Sequence, residues 1–286
     1  MKVILSRKGF DSGYGGYPSI ILPNNEMITL PIPCPSDYYR YSDISTKNGE
    51  CLYNIMKSLK NEISFGGEKK ELTKETHCHL DPDLCDFSVE RDKNWKGIFG
   101  QIDASTTVLN NNGVKEGDLF LFFGWFNDVI IEDNKYKFTK GDGRNTIFGY
   151  LQIDKILHPK YDKVPEEFNK HPHVYDSKRK EKDTDTIYIA KDVCTFDNNI
   201  KGYGIFKYDE KLDLTKKGMN RTCWDLPDFF KGVKIAYHNE NSFKEGYFKS
   251  ACRGQEFVIE DNKDVEEWAI NLIKEHSTNR IKSSED

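Results

Sequence analysis

Apolar positions are unevenly spread along this chain, and their spacing predicts most of its elements. Leu119-Phe120-Leu121-Phe122-Phe123 follows the Gly117-Asp118 turn without one polar side chain, as expected of a central strand buried on both faces. Gly124-Trp125-Phe126 carries large rings out of that strand. A second β-rich run, Thr146 to Ile153, begins about twenty residues later, which predicts a hairpin with a long mobile loop. Val3-Ile4-Leu5, Thr186 to Ala190 and Lys201 to Phe206 predict further strands. Prolines 18, 23, 31, 33 and 35 punctuate short extended pieces and argue against helix before residue 50.

Helical spacing occurs in two places. Leu52, Ile55, Met56, Leu59 and Ile63 predict an amphipathic helix over residues 50–64, ended by Gly66-Gly67. Val265, Trp268, Ala269, Leu272 and Ile273 predict a terminal helix over 264–275. Its acids Asp264, Glu266 and Glu267 lie in the first turn and Lys274 near the end, which suits the helix dipole. Residues 277–286 read as a disordered tail. The pattern as a whole is that of an α+β, β-rich chain with one domain over 1–276 and no internal repeat.

Composition narrows the functional classes. With 42 Lys and Arg against 47 Asp and Glu, the formal charge is −5, which disfavours a protein that coats nucleic acid through many phosphate contacts. Aromatics at 13% mark an ordinary folded chain rich in rings. The N-terminus lacks a signal-peptide core and no run reaches bilayer-spanning length, so a cytoplasmic protein with no membrane partner is expected. Seven scattered cysteines without a Cys-x-x-Cys pair suggest reduced thiols.

Candidate chemistry lies in polar clusters flanking the apolar strands. Ser6 to Gly16 packs four glycines, Arg7, Lys8, Asp11 and Ser12 into eleven residues. Such a loop can cup an anion with its backbone N–H groups, or serve only as a glycine-rich surface turn. His77 to Cys85 is the densest cluster of ligand and acid-base types. There His79, Asp81 and Asp83 could hold a divalent metal, or a carboxylate could act as general base. The alternative is a turn at Asp81-Pro82-Asp83 with surface histidines. His171 and His173 flank a proline in a polar segment and could supply ligands or phosphate donors. Gln101 offers the paired donor and acceptor that read a base edge. Arg253, Gln255 and Glu256 surround Gly254, where they could fork onto phosphate or a base, with Glu256 able to accept a proton. Phe120, Phe122 and Phe123 belong to packed interior, which leaves Trp125 or Phe126 as a stacking wall.

Several of these blocks together resemble the nucleotide-modification-associated domain family, third type. They are Lys8 to Ser12, His79 to Asp83, Gly117 to Phe126, His171-Pro172-His173 and Arg253 to Val258, and they extend from residue 2 to about residue 260. That resemblance implies a link to phage and bacterial systems that make or handle modified DNA bases. The hairpin from Gly117-Asp118 to Ile147-Phe148-Gly149-Tyr150-Leu151 is similar to the core of EVE, ASCH and other PUA-like barrels. This implies a PUA-like mixed barrel core around 95–160 and an aromatic pocket for a modified or flipped base.

Three functional readings follow. In the first, the protein binds a nucleotide, nucleobase or modified DNA, with Trp125 or Phe126 stacking, Gln101 or Gln255 reading the base edge, and Arg7, Lys8 or Arg253 holding phosphate. In the second, it is a base- or nucleotide-modifying enzyme with Asp11, Asp81, Asp83 or Glu256 as acid-base groups and a possible divalent metal. In the third, it sequesters a nucleotide signal during phage defence. Sequence sets no oligomeric state.

Overall fold

The structure, a computed structural model, describes residues 1–252 and 254–281. The chain opens with β1 (Val3–Arg7), β2 (Ser19–Ile21) and β3 (Met27–Ile28), followed by α1 (Leu52–Leu59) and the hairpin of β4 (Glu62–Phe65) and β5 (Glu68–Glu71). β6 (Ile98–Gln101) leads into α2 (Asp103–Asn111). β7 (Leu119–Glu132), β8 (Lys135–Phe138) and β9 (Arg144–Leu157) form the centre. Two single-turn helices, α3 (Pro172–Tyr175) and α4 (Ser177–Lys180), precede β10 (Thr186–Ala190), β11 (Val193–Cys194), β12 (Asp197–Lys201) and β13 (Tyr203–Ile205). β14 (Cys223–Trp224), β15 (Phe243–Lys244) and β16 (Tyr247–Lys249) make a small sheet, and β17 (Glu256–Ile259) and α5 (Lys263–His276) follow.

Strand outweighs helix, 35% to 19%, and the main sheet curls into a half-barrel in the order β17-β1-β7-β9-β10-β6. The α+β, β-rich expectation therefore holds, and the half-barrel is loosely PUA-like. The sheet is mixed: β1 runs parallel to β7, while β17, β9, β10 and β6 pair antiparallel with their neighbours. Leu119 to Phe123 are fully buried, so the five-residue apolar run is the sheet's central strand as expected. Their rings divide between two faces because side chains alternate along a strand. Phe120 and Phe122 pack with Phe99 and Tyr188 on one face, and Phe123 packs with Trp224 and Phe257 on the other. A second apolar cluster around Phe10, Tyr17, Tyr41 and α1 covers the region of β2 and β3.

Three expectations are corrected. Strands β7 and β9 have fourteen residues each, and β8 folds back onto the outer half of β7. The excursion is thus largely sheet rather than a long loop. Asp133 and Asn134, both at positive φ, make the turn that permits this. The first helix is Leu52–Leu59, shorter than 50–64, because Ile63 is buried in the β4–β5 hairpin and Gly66-Gly67 forms that hairpin's turn instead of a helix end. Over the expected tail, Ser277, Thr278 and Ile281 donate backbone bonds to Ile273, Ile205 and Asn199, and 282–286 lie outside the described residues. The terminal helix, Lys263–His276, matches its expected place and is capped by the Asn262 side chain. No described helix is long and apolar enough to cross a membrane. Among the described residues the seven cysteines are free thiols.

Candidate functional site

The sheet's two end strands approach each other where its curl closes. Gln101 ends β6 and Glu256 begins β17, and Gln101 Nε2 donates to Glu256 Oε1 at 2.6 Å. The same carboxylate oxygen accepts from Ser6 Oγ on β1 and from Lys8 Nζ, each at 3.0 Å. The Lys8 ammonium also sits 4.3 Å from the centre of the Phe99 ring. Glu256 is fully buried, and its Oε2 has no hydrogen-bond partner among the described residues.

A cavity of about 1000 Å³ opens beside this seam, large enough for a nucleotide. Arg7, Lys8, Asp11, Ser12, His79, Asp81, Gln101, Trp125, His173 and Gln255 all line it. The polar clusters near residues 7–12, 79–81 and 255 thus meet in one place although far apart in sequence.

Geometry redistributes the roles within that set. Arg7 donates from both terminal nitrogens to the carbonyls of Cys252 and Ala251, at 2.9 Å each, and lies over the Phe123 and Phe257 rings. It clamps the chain with one N–H of each terminal nitrogen while lining the cavity. Gln101 has both Nε2 hydrogens engaged, by Glu256 and Gln255, while its Oε1 accepts from Ile102 N. It is a strut, and the exposed Gln255 is the amide that remains to meet a ligand. Asp11 Oδ1 accepts from Gly13 N and Tyr14 N, both at 2.7 Å, which is the turn reading of that loop. Phe126 is fully buried and leaves the stacking wall to Trp125. The indole Nε1 of Trp125 donates to Asp142 O, and the Arg221 guanidinium lies 3.9 Å from its ring centre. Asp83 turns away into a buried ion pair with Arg91 at 2.5 Å, and burial raises its pKa against the opposing Arg91 charge. Arg253 lies outside the described residues.

Although His171-Pro172-His173 lies in a polar segment, both imidazoles are buried. His173 Nδ1 meets Asp185 Oδ1 at 2.5 Å. His171 Nδ1 accepts from His173 N, so its Nε2 donates to Asp81 Oδ1 at 3.2 Å. Gly100 N donates to that same oxygen at 2.7 Å. His79 Nδ1 bonds Asp37 Oδ2 at 2.6 Å, and its Nε2 stands 3.8 Å from Asp81 Oδ2. Burial opposes ionisation of Asp37, but His79 and Arg179 outweigh it and hold its carboxyl at about 2. At Asp81 burial is likewise outweighed, first by His171, and its pKa is lowered. Burial holds His173 neutral by pushing its pKa well below 6.5, and pushes Asp185 up to about 8.

The nucleotide modification associated domain 3 family matches the chain over residues 2–260. The chain belongs to that family. No curated protein and no solved structure matches the chain. The matched region includes every element that lines the cavity, from the Arg7 end of β1 to Gln255. Within this nucleotide modification associated domain, sequence reasoning missed Asp37, Arg179, Asp185 and Arg221. Asp37 and Arg221 are isolated charges and Arg179 and Asp185 belong to a charged run, and only the fold places Asp37 and Asp185 behind the histidines and Arg221 over Trp125.

Proposed function

We propose that this chain binds a nucleotide or modified nucleobase in the cavity at the sheet seam, free or flipped from DNA, in a phage or bacterial DNA-modification or defence setting. The observation that carries the reading is the Trp125–Arg221 pair, a stacked indole and guanidinium in the same cavity as the amide of Gln255 and the His79–Asp81 pair. The indole offers a face to a base, and the guanidinium, with Arg7 on the same cavity wall, offers positive charge to phosphate. Gln255 supplies base-edge hydrogen bonding, since its Oε1 meets Gln101 and Ser105 and its Nε2 makes no bond among the described residues. Membership of the family supports the same substrate area.

Calorimetry with nucleoside monophosphates and modified-base oligonucleotides tests the reading. Replacing Trp125→Ala should weaken binding by about 1 to 3 kcal/mol, roughly fivefold to 150-fold, with the fold retained. Unchanged affinity in that variant would remove the stacking role, and absence of binding to any such ligand would remove the proposal.

A second reading, an enzyme that modifies the bound base or nucleotide, is favoured by the buried His/Asp cluster on the cavity wall. Of the four carboxylates expected to act as acid or base, Asp11 caps its own turn, Asp83 is ion-paired and Glu256 lies behind Lys8 and Gln101. Asp81 alone among the four presents an oxygen, Oδ2, to the imidazole nitrogen of His79. Mass spectrometry of co-purifying small molecules, before and after incubation, separates the readings. A changed ligand mass supports the enzyme, whereas a tightly held, unchanged nucleotide supports sequestration.

A further inference from the structure

Two imidazoles and one carboxylate converge on the cavity wall, with their ligand atoms all within 4.8 Å of one another. The geometry points to a binding site for one divalent transition-metal ion on His79 Nε2, His173 Nε2 and Asp81 Oδ2. Ligands about 2.1 Å from a shared ion stand about 3 to 3.5 Å apart, so small side-chain rotations complete the set. Nothing in this inference requires that a nucleotide bind.

The groups around the set do what the outer shell of a metal site does. Each histidine has its Nδ1 on a carboxylate, Asp37 at 2.6 Å and Asp185 at 2.5 Å. That arrangement keeps the proton on Nδ1 and aims the Nε2 lone pair, the usual orientation of a metal-binding imidazole. Asp81 is held the same way: Gly100 N and His171 Nε2 occupy Oδ1, which leaves Oδ2 for an ion. Charge agrees with geometry. Arg179 pairs with Asp37 and Lys8 pairs with Glu256, which leaves Asp81 without a guanidinium or ammonium salt bridge. That unpaired carboxylate puts negative charge where a divalent cation would sit.

The donor set also selects the ion. Two imidazole nitrogens suit zinc, iron, nickel or copper, whereas magnesium and calcium prefer oxygen throughout. Three protein ligands leave further positions open toward the cavity, as in sites that do chemistry on a bound molecule. A rival trio, Cys34, Asp37 and His79, overlaps this one. It is the poorer site because both Asp37 oxygens are engaged, by His79 and Arg179, and the Arg179 guanidinium lies 3.6 Å from the Cys34 sulfur. A cation already stands where that ion would sit.

The test uses the untagged full chain, dialysed against zinc and then metal-free buffer, with metal analysis and cobalt(II) absorption as readouts and no nucleotide present. One ion per chain is expected in the wild type. It should be lost in His79→Ala, in His173→Ala and in Asp81→Asn, a near-isosteric change that keeps the acceptor for Gly100 and His171. Asp83→Asn and Cys34→Ser should retain it. Asp185→Asn should weaken binding about 10-fold to 100-fold through the orientation of His173. Circular dichroism establishes that each variant is folded. Three results would overturn the site: no stoichiometric ion in folded wild type, an ion retained in both His→Ala variants, or an ion lost with Cys34→Ser but not with His173→Ala. A retained ion without nucleotide affinity would sink the proposed function and leave this site standing.

Discussion

Gly100 shows at single-residue scale how tightly the site is assembled. Its N–H holds Asp81, and its missing side chain makes room for the His173 ring. A Cβ at this position would stand 2.2 Å from His173 Cδ2 and 2.8 Å from Nε2. Replacing Gly100→Ala must therefore push the imidazole off β6 or distort the strand. Overpacking of this kind costs about 1 to 3 kcal/mol. The expected outcome is lowered stability together with a displaced His173 resonance in nitrogen-resolved NMR; an unmoved resonance would argue that the contact is slack. His79, Asp81, His171 and His173 were legible in the sequence because ligand-type residues cluster there within a few positions. Asp37, Asp185 and Arg221 were not, since a lone charge, or one among many in the run Lys178 to Asp185, carries no local signal. Nor did the sequence show that Arg7 and Gln101 bond partners about 150 or more residues away.

At the scale of elements, β7 and the segment entering β17 set the limits of the fold and of the cavity. Leu121 is fully buried at the middle of β7, paired with Leu5 on one side and Tyr150 on the other. Leu121→Ala should cost about 2 to 5 kcal/mol in chemical denaturation, and a smaller loss would mean that the centre can collapse around the gap. This strand was readable because an unbroken apolar run has few other uses. The extent of α1 was misread because Ile63 happens to continue the helical period although its partner is β5. Before β17, the chain is clamped by Arg7 and by His238, whose Nδ1 donates to Ala236 O and whose Nε2 accepts from Ala251 N. Burial, with Arg7 nearby, lowers the His238 pKa below 6.5. Unfolded His238 therefore takes up its proton at higher pH than folded His238 does. The stability it contributes is complete above about 6.5 and is lost as pH falls below that value. Buried His173 acts in the same direction. The melting temperature should drop between about pH 7.5 and pH 5.5, and the drop should be smaller, though not absent, in His238→Gln. An identical drop in that variant would assign the effect elsewhere.

For the molecule as a whole, the decisive fact is that the sheet is open and its ends are fastened by side chains. β17 and β6 terminate the strand order, so the backbone ladder does not close the half-barrel. Glu256 does so instead, by accepting from Gln101 across the gap and from Ser6 and Lys8 on its own side. Lys8 and Glu256 have side chains only 9% and 0% exposed, and truncating one member of such a buried pair strands the other charge at about 3 to 5 kcal/mol. Glu256→Ala should therefore destabilise the protein by that order and speed amide exchange in both β6 and β17, because each loses its anchor. Glu256→Gln keeps an oxygen for Ser6, Lys8 and Gln101, so it should cost less and leave exchange in β6 near the wild-type rate. Equal costs for the two variants, or faster exchange confined to β17, would show that packing of α2 on β17 holds the seam without Glu256. The cavity lies along that seam, so the same pair of variants links stability to function. Ligand affinity should follow the order wild type, Gln, Ala if the walls contributed by β1, β6 and the Gln255 segment are positioned by this one carboxylate.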